Sequence, residues 1–72
     1  MNPYESLANA IVLLAVRDYR LALSRRNRHP EKDAFRQEKK SIERFFRSDW
    51  FGVLTGLDSE VLIGRLNKEV AV

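Results

Sequence analysis

The chain contains no cysteine, so neither a disulfide framework nor a cysteine-based zinc site can exist in its 72 residues. It has a single histidine, His29, and nothing supplies the second imidazole that a histidine metal site would want. Proline and glycine are few, and 44% of the residues are apolar, a composition that belongs to a folded domain and not to a disordered tail. Long apolar runs are missing too. The longest, Ala8 to Val16, is interrupted by Asn9 and falls far short of the ~20 residues a membrane-spanning helix needs. No basic residue precedes it, as a secretory segment would require. The absence of cysteine suits any compartment, and the default expectation is a cytoplasmic protein without a membrane partner.

The length leaves room for one domain, 1–72. A domain of this size buries roughly 60% of its unfolded surface, so its stability is marginal unless a partner helps.

What is present is helical patterning. Asn2 can cap a first helix, with Pro3 in the first helical position and Glu5 completing a capping box. No glycine or proline follows until Pro30, so this helix is expected over about 3–26. Pro30 excludes His29 from the helix and can open a second one, expected over about 31–47. Ser48 and Asp49 look like a cap for a short turn over about 49–54 that carries Trp50 and Phe51. Asp58 suits the N-cap of a last helix, about 59–69, with Leu62, Ile63, Leu66 and Val70 on its apolar side. No period-2 segment is long enough for a strand. The expected fold is all-α: a small three-helix domain with a short extra helical turn between helices two and three.

The apolar arc of the first helix is unusually wide. Tyr4, Leu7, Ala8, Ile11, Val12, Leu14, Ala15, Val16, Tyr19, Leu21, Ala22 and Leu23 fill roughly 220° of its circumference, against the ~100° of an ordinary surface helix. Leu13 falls outside even that arc. Either a second chain covers part of it, or its edges stay exposed, as much apolar surface does in folded proteins. A homodimer is therefore one open expectation.

Catalytic chemistry finds little support. There is no cysteine nucleophile, no glycine-rich phosphate loop and no serine in an elbow context, so no catalytic, cofactor or metal site is expected. His29 reads as a solvated loop residue. Asp18 lies inside the wide arc between Leu14 and Ala22, and the expectation is a buried structural carboxylate that needs a hydrogen-bond partner. Phe45, Phe46, Trp50 and Phe51 place four aromatics within seven residues. They read first as the core knot joining the helices and second as an exposed patch able to stack on bases.

Charge is distributed unevenly beneath a net of +3. Residues 17–47 carry eleven Lys and Arg against five acids, whereas residues 49–72 carry two against four. Arg25, Arg26 and Arg28 crowd the first interhelical loop, and Lys32, Arg36, Lys40 and Arg44 recur at every fourth position, with Arg47 continuing that side. These eight residues are the candidate contact for nucleic acid or a protein partner, since a basic stripe beside a basic loop is the footprint of phosphate binding. A solvated helix face is the competing reading. Thr55 to Ser59 also resembles the turn of a helix-turn-helix, but Glu60 and Glu69 on the helix that follows are unhelpful against phosphate.

The stretch I-E-R-F-F-R-S-D-W-F, Ile42 to Phe51, is followed by Leu54-Thr55, Leu57-Asp58 and Leu62-Ile63; the A-I-V-L-L-A-V-R-D-Y-R of Ala10 to Arg20 lies upstream. This pattern resembles short proteins encoded in prophages and conjugative elements of Gram-positive bacteria. The resemblance covers most of the chain except residues 25–41. It implies a mobile-element setting and a shared fold, and it brings no activity or functional residue with it. The expected role is thus a small non-enzymatic accessory protein that binds a macromolecule, with a protein-interaction or self-association module as the alternative.

Overall fold

The computed structural model describes the backbone of residues 3–71 and the side chains of residues 6–70. The expected cap at Asn2, its partner Glu5 and the place of Tyr4 on the apolar arc lie outside the described residues. Four helices follow one another: α1 (Pro3–Arg28), α2 (Asp33–Phe46), α3 (Asp49–Thr55) and α4 (Ser59–Ala71), with no strand among the described residues. The expected extra turn is thus a helix in its own right.

Local chemistry sets each boundary. The His29 N–H donates to Arg25 O at 2.9 Å, and α1 ends there because Pro30 disfavours a helical His29. Pro30 does not open α2, however. It is taken up in a tight turn in which Lys32 N–H donates to His29 O at 3.1 Å, and α2 begins only at Asp33, after an extended Lys32. At the far end, Ser48 joins two helices. Its hydroxyl donates to Phe45 O at 2.6 Å and accepts from Phe51 N–H at 3.2 Å, so one side chain closes α2 and caps α3. Gly56 ends α3 in the left-handed region, φ 66°, where a residue with a Cβ would be strained. The Asp58 carboxylate then accepts from Glu60 N–H at 2.9 Å and Val61 N–H at 3.3 Å, the expected cap of α4.

All four helices meet in one core. Tyr19, Ala22 and Leu23 of α1, Phe46 of α2, Phe51 of α3, and Ile63 and Leu66 of α4 are buried. Their rings interlock edge to face: Tyr19–Phe46 at 5.4 Å between centroids, Phe46–Phe51 at 5.3 Å and Phe45–Phe51 at 5.7 Å. Phe45 and Phe46 point different ways, as neighbours on a helix must. Phe46 is buried against α1, while Phe45 stays half-buried under Trp50, centroids 5.9 Å apart.

Only half of the wide apolar arc on α1 is covered. Val12, Ala15 and Val16 pack against the core, but Leu7, Leu14 and Leu21, each seven residues apart, remain exposed, and so does Leu13. Length explains this. The 26 residues of α1 extend about 39 Å, whereas the 14 of α2 extend about 21 Å. The molecule is accordingly elongated, 43 × 20 × 19 Å.

Candidate nucleic-acid interface

The polar groups divide into two sets, one gathered where α1, α2 and α4 meet and one spread over the outer side of α2. In the first set, the buried Tyr19 donates its hydroxyl proton to Glu43 Oε2 at 2.5 Å and accepts from Asn67 Nδ2 at 2.9 Å. Asn67 also donates to Ile63 O at 2.7 Å. Burial, reinforced by the hydrogen bond to Glu43, holds the Tyr19 phenol well above its usual range and keeps it protonated. Glu43 is paired further with Lys39 at 3.6 Å and Arg47 at 4.0 Å. Arg47 in turn grips Glu60 with two hydrogen bonds, 2.6 and 3.2 Å, tying α2 to α4. That fork raises the Arg47 pKa and lowers that of Glu60, the hydrogen bond between them being the chief cause in both.

Other carboxylates are engaged in the same manner. Glu69 receives two hydrogen bonds from Arg20, Glu38 meets Arg25 at 3.5 Å, and Glu31 meets His29 at 3.5 Å. Asp58 is occupied by the α4 backbone. What remains on the outer side of α2 is a row of cations, with the exposed Asp33, which accepts from Gln37 at 3.5 Å, at its N-terminal end. Arg36, Lys40 and Arg44 are all exposed, and none pairs with a carboxylate among the described residues. Four residues apart, they stand about 6 Å from one another along the helix, a row spanning about 12 Å. At its C-terminal end lies an open groove of about 570 Å³ lined by Lys40, Glu43, Arg44, Arg47 and Ser48.

The eight expected contact residues therefore do not form one uniform surface. Arg36, Lys40 and Arg44 stand together, unpaired. Arg28 and Lys32 are exposed at the other end of α2, the Lys32 ammonium lying 5.7 Å from the centre of the Phe35 ring. Arg26 is half-buried on α1. Arg25 and Arg47 are committed to Glu38 and Glu60; Arg47 does continue the side of Lys40 and Arg44, bordering the same groove, but with its charge already answered.

Asp18 requires a correction. It is not buried: its side chain is 50% exposed and lies 3.3 Å from the neighbouring Arg17. The arc on which it was placed splits in two, and the half that faces the core is centred on Tyr19, about 100° away around the helix. The buried polar group of α1 is the Tyr19 hydroxyl. Tyrosine counts as apolar in a periodicity reading, so the only sequence signal for this joint was a ring whose hydroxyl, once buried, needs a partner.

His29 is exposed in the α1–α2 turn, and among the described residues no group of three His, Cys, Asp or Glu side chains could hold a metal ion. No described helix is long and apolar enough to cross a membrane. No protein-family model, curated protein or solved structure matches this chain.

Proposed function

We propose that this chain is a small, non-enzymatic accessory protein of a phage or mobile element that binds nucleic acid through the outer side of α2. One observation carries the binding reading: Arg36, Lys40 and Arg44 stay unpaired on one exposed face while most nearby carboxylates are spent elsewhere. Like charges four residues apart are mildly unfavourable to a helix, and a polyanion laid along the row would relieve that repulsion. The mobile-element setting is supported by the I-E-R-F-F-R-S-D-W-F stretch at Ile42 to Phe51.

Binding to a labelled oligonucleotide, followed by anisotropy over a salt series, tests the reading. If the three cations contact phosphate, log affinity falls against log salt with a slope of about −2 to −3. Reversing Arg36→Glu, Lys40→Glu and Arg44→Glu together abolishes binding at low salt. A salt-insensitive complex, or one untouched by the reversal, overturns it.

A second reading is favoured by a separate observation, the exposed row of Leu7, Leu14 and Leu21 on α1. A seven-residue repeat of exposed leucines suits self-association through a helix pair. On that reading the protein sediments as a dimer that Leu14→Glu dissociates, with little dependence on salt.

A further inference from the structure

The exposed leucines of α1 are arranged symmetrically. Leu7, Leu14 and Leu21 are 60%, 50% and 47% exposed. A seven-residue spacing keeps them within a sector of about 40°, centred about 140° around the helix from the buried Tyr19. Leu7 and Leu21 stand about 10.5 Å on either side of Leu14 along the axis. Two copies of such a stripe can pair about a two-fold axis in either direction. In a parallel pair each leucine meets its own counterpart. In an antiparallel pair centred on Leu14, Leu14 meets Leu14 of the second copy and Leu7 meets its Leu21, at both ends.

Charge decides between the two. Residues 6–16 carry no charged side chain, whereas residues 17–28 carry five arginines and one aspartate. Arg20 and Arg25 are answered by Glu69 and Glu38, but Arg28 is exposed and meets no carboxylate among the described residues. Arg28 is also the next position of the leucine repeat. A parallel seam would therefore run from three leucine layers into Arg28 against Arg28, two like charges brought together out of water. The antiparallel seam avoids this, because Arg28 falls beyond Pro3, where α1 of the second copy begins. Arg17, Arg20 and Arg25 then come level with residues 3–11 of the second copy, which hold no cation and one acid, Glu5. Asp18, already 3.3 Å from Arg17, comes level with the small Ala10 and stays at the rim.

We infer that the exposed stripe of α1 binds a second copy of this chain, as an antiparallel helix pair whose two-fold axis passes by Leu14. This rests on the self-association reading above and adds the direction and register of the pair. A leucine seam of about 21 Å is short, so the dimer is reversible and forms in the micromolar range.

The chain has no cysteine, so introduced thiols report on the pair without interference. Leu7, Leu14 and Leu21 are each replaced singly by cysteine, and Leu13→Cys, about 100° around the helix from Leu14, measures chance collision. All four sites are exposed, so the fold is not at risk. Sedimentation of the unmodified protein over about 5–500 µM is expected to show a monomer–dimer equilibrium. Under mild oxidation by diamide, Leu14→Cys is expected to cross-link well above Leu13→Cys. Leu7→Cys alone and Leu21→Cys alone stay at the collision level, since like thiols lie about 21 Å apart along the seam. Mixed together, with one isotope-labelled so that mixed dimers are told by mass, they link efficiently. If instead Leu7→Cys and Leu21→Cys each link to themselves and not to one another, the pair is parallel; the inference is overturned and self-association through α1 stands. A protein that stays monomeric throughout, or a dimer in which Leu14→Cys links no better than Leu13→Cys, overturns both.

Discussion

The two sides of α2 treat charge in opposite ways. On the inner side Glu43 is contacted by Tyr19, Lys39 and Arg47, and the Tyr19 hydroxyl it accepts from lies in the core. On the outer side Arg36, Lys40 and Arg44 are exposed, and no described carboxylate answers them. The difference follows from what burial demands. A phenol removed from water must find an acceptor, and Glu43 serves that need first, whereas an exposed guanidinium is satisfied by solvent and can stay without a partner. Carboxylates drawn into joints between helices are no longer available to neutralise the surface. A modest net charge of +3 therefore coexists with a locally bare cationic row.

Deleting the ring that fixes the inner side should have the largest effect. Phe46→Ala removes a fully buried side chain in contact with Tyr19, Phe45 and Phe51 and is expected to cost about 3–5 kcal/mol. A chain this small has little stability to spare, so urea melts should find most of the variant unfolded. Tyr19→Phe comes next. It keeps the ring but removes the hydroxyl bonded to the Glu43 carboxylate and to Asn67, for an expected loss of about 1–3 kcal/mol by thermal or urea melting.

The same tyrosine gives the inner side a pH signature. Its pKa is raised in the folded state, so above the unfolded value of about 10 the unfolded chain releases a proton that the folded one retains. Its contribution is complete below pH ~10 and declines as pH rises further. Tyr19→Phe should flatten that alkaline decline, and an unchanged slope would show that the Tyr19 hydroxyl does not report on the joint.

The outer side should behave in the opposite sense. Arg36→Gln, Lys40→Gln and Arg44→Gln together remove two like-charge pairs, so stability in melts should hold or rise, by a few tenths of a kcal/mol per pair relieved. A clear loss of stability would mean that these cations have structural partners after all. The smallest effect is expected at Asp18, where Asp18→Ala should change stability by no more than about 0.5 kcal/mol, as suits an exposed carboxylate paired only with its neighbour. A larger loss in the same melts would restore the structural role that periodicity suggested.

Much of the local structure is legible in the sequence. Asp58 caps α4 and Ser48 caps α3 as their side chains imply, because capping needs only a short polar side chain and the N–H groups two or three residues on. Leu66 and Ile63 reach the core from the expected side of α4. Pro30 misled in one respect: it can sit at the start of a helix or inside a tight turn, and here it lies in the turn closed by the hydrogen bond from Lys32 N–H to His29 O. Asp18 misled because a 220° arc does not say which part of it will be covered.

The four helical segments, the Ser48 and Asp58 caps and the four-residue spacing of the cations follow from local sequence, since each depends on neighbours within a turn or two along the chain. Packing between the helices settled which half of α1 is buried, that Trp50 and not Phe45 is the ring left in solvent, and that Glu60 answers the charge of Arg47. Those outcomes turn on helix length and crossing. A short α2 and α4 can cover only one side of a longer α1, and the charges they bring together are separated by 13 to 49 residues of chain.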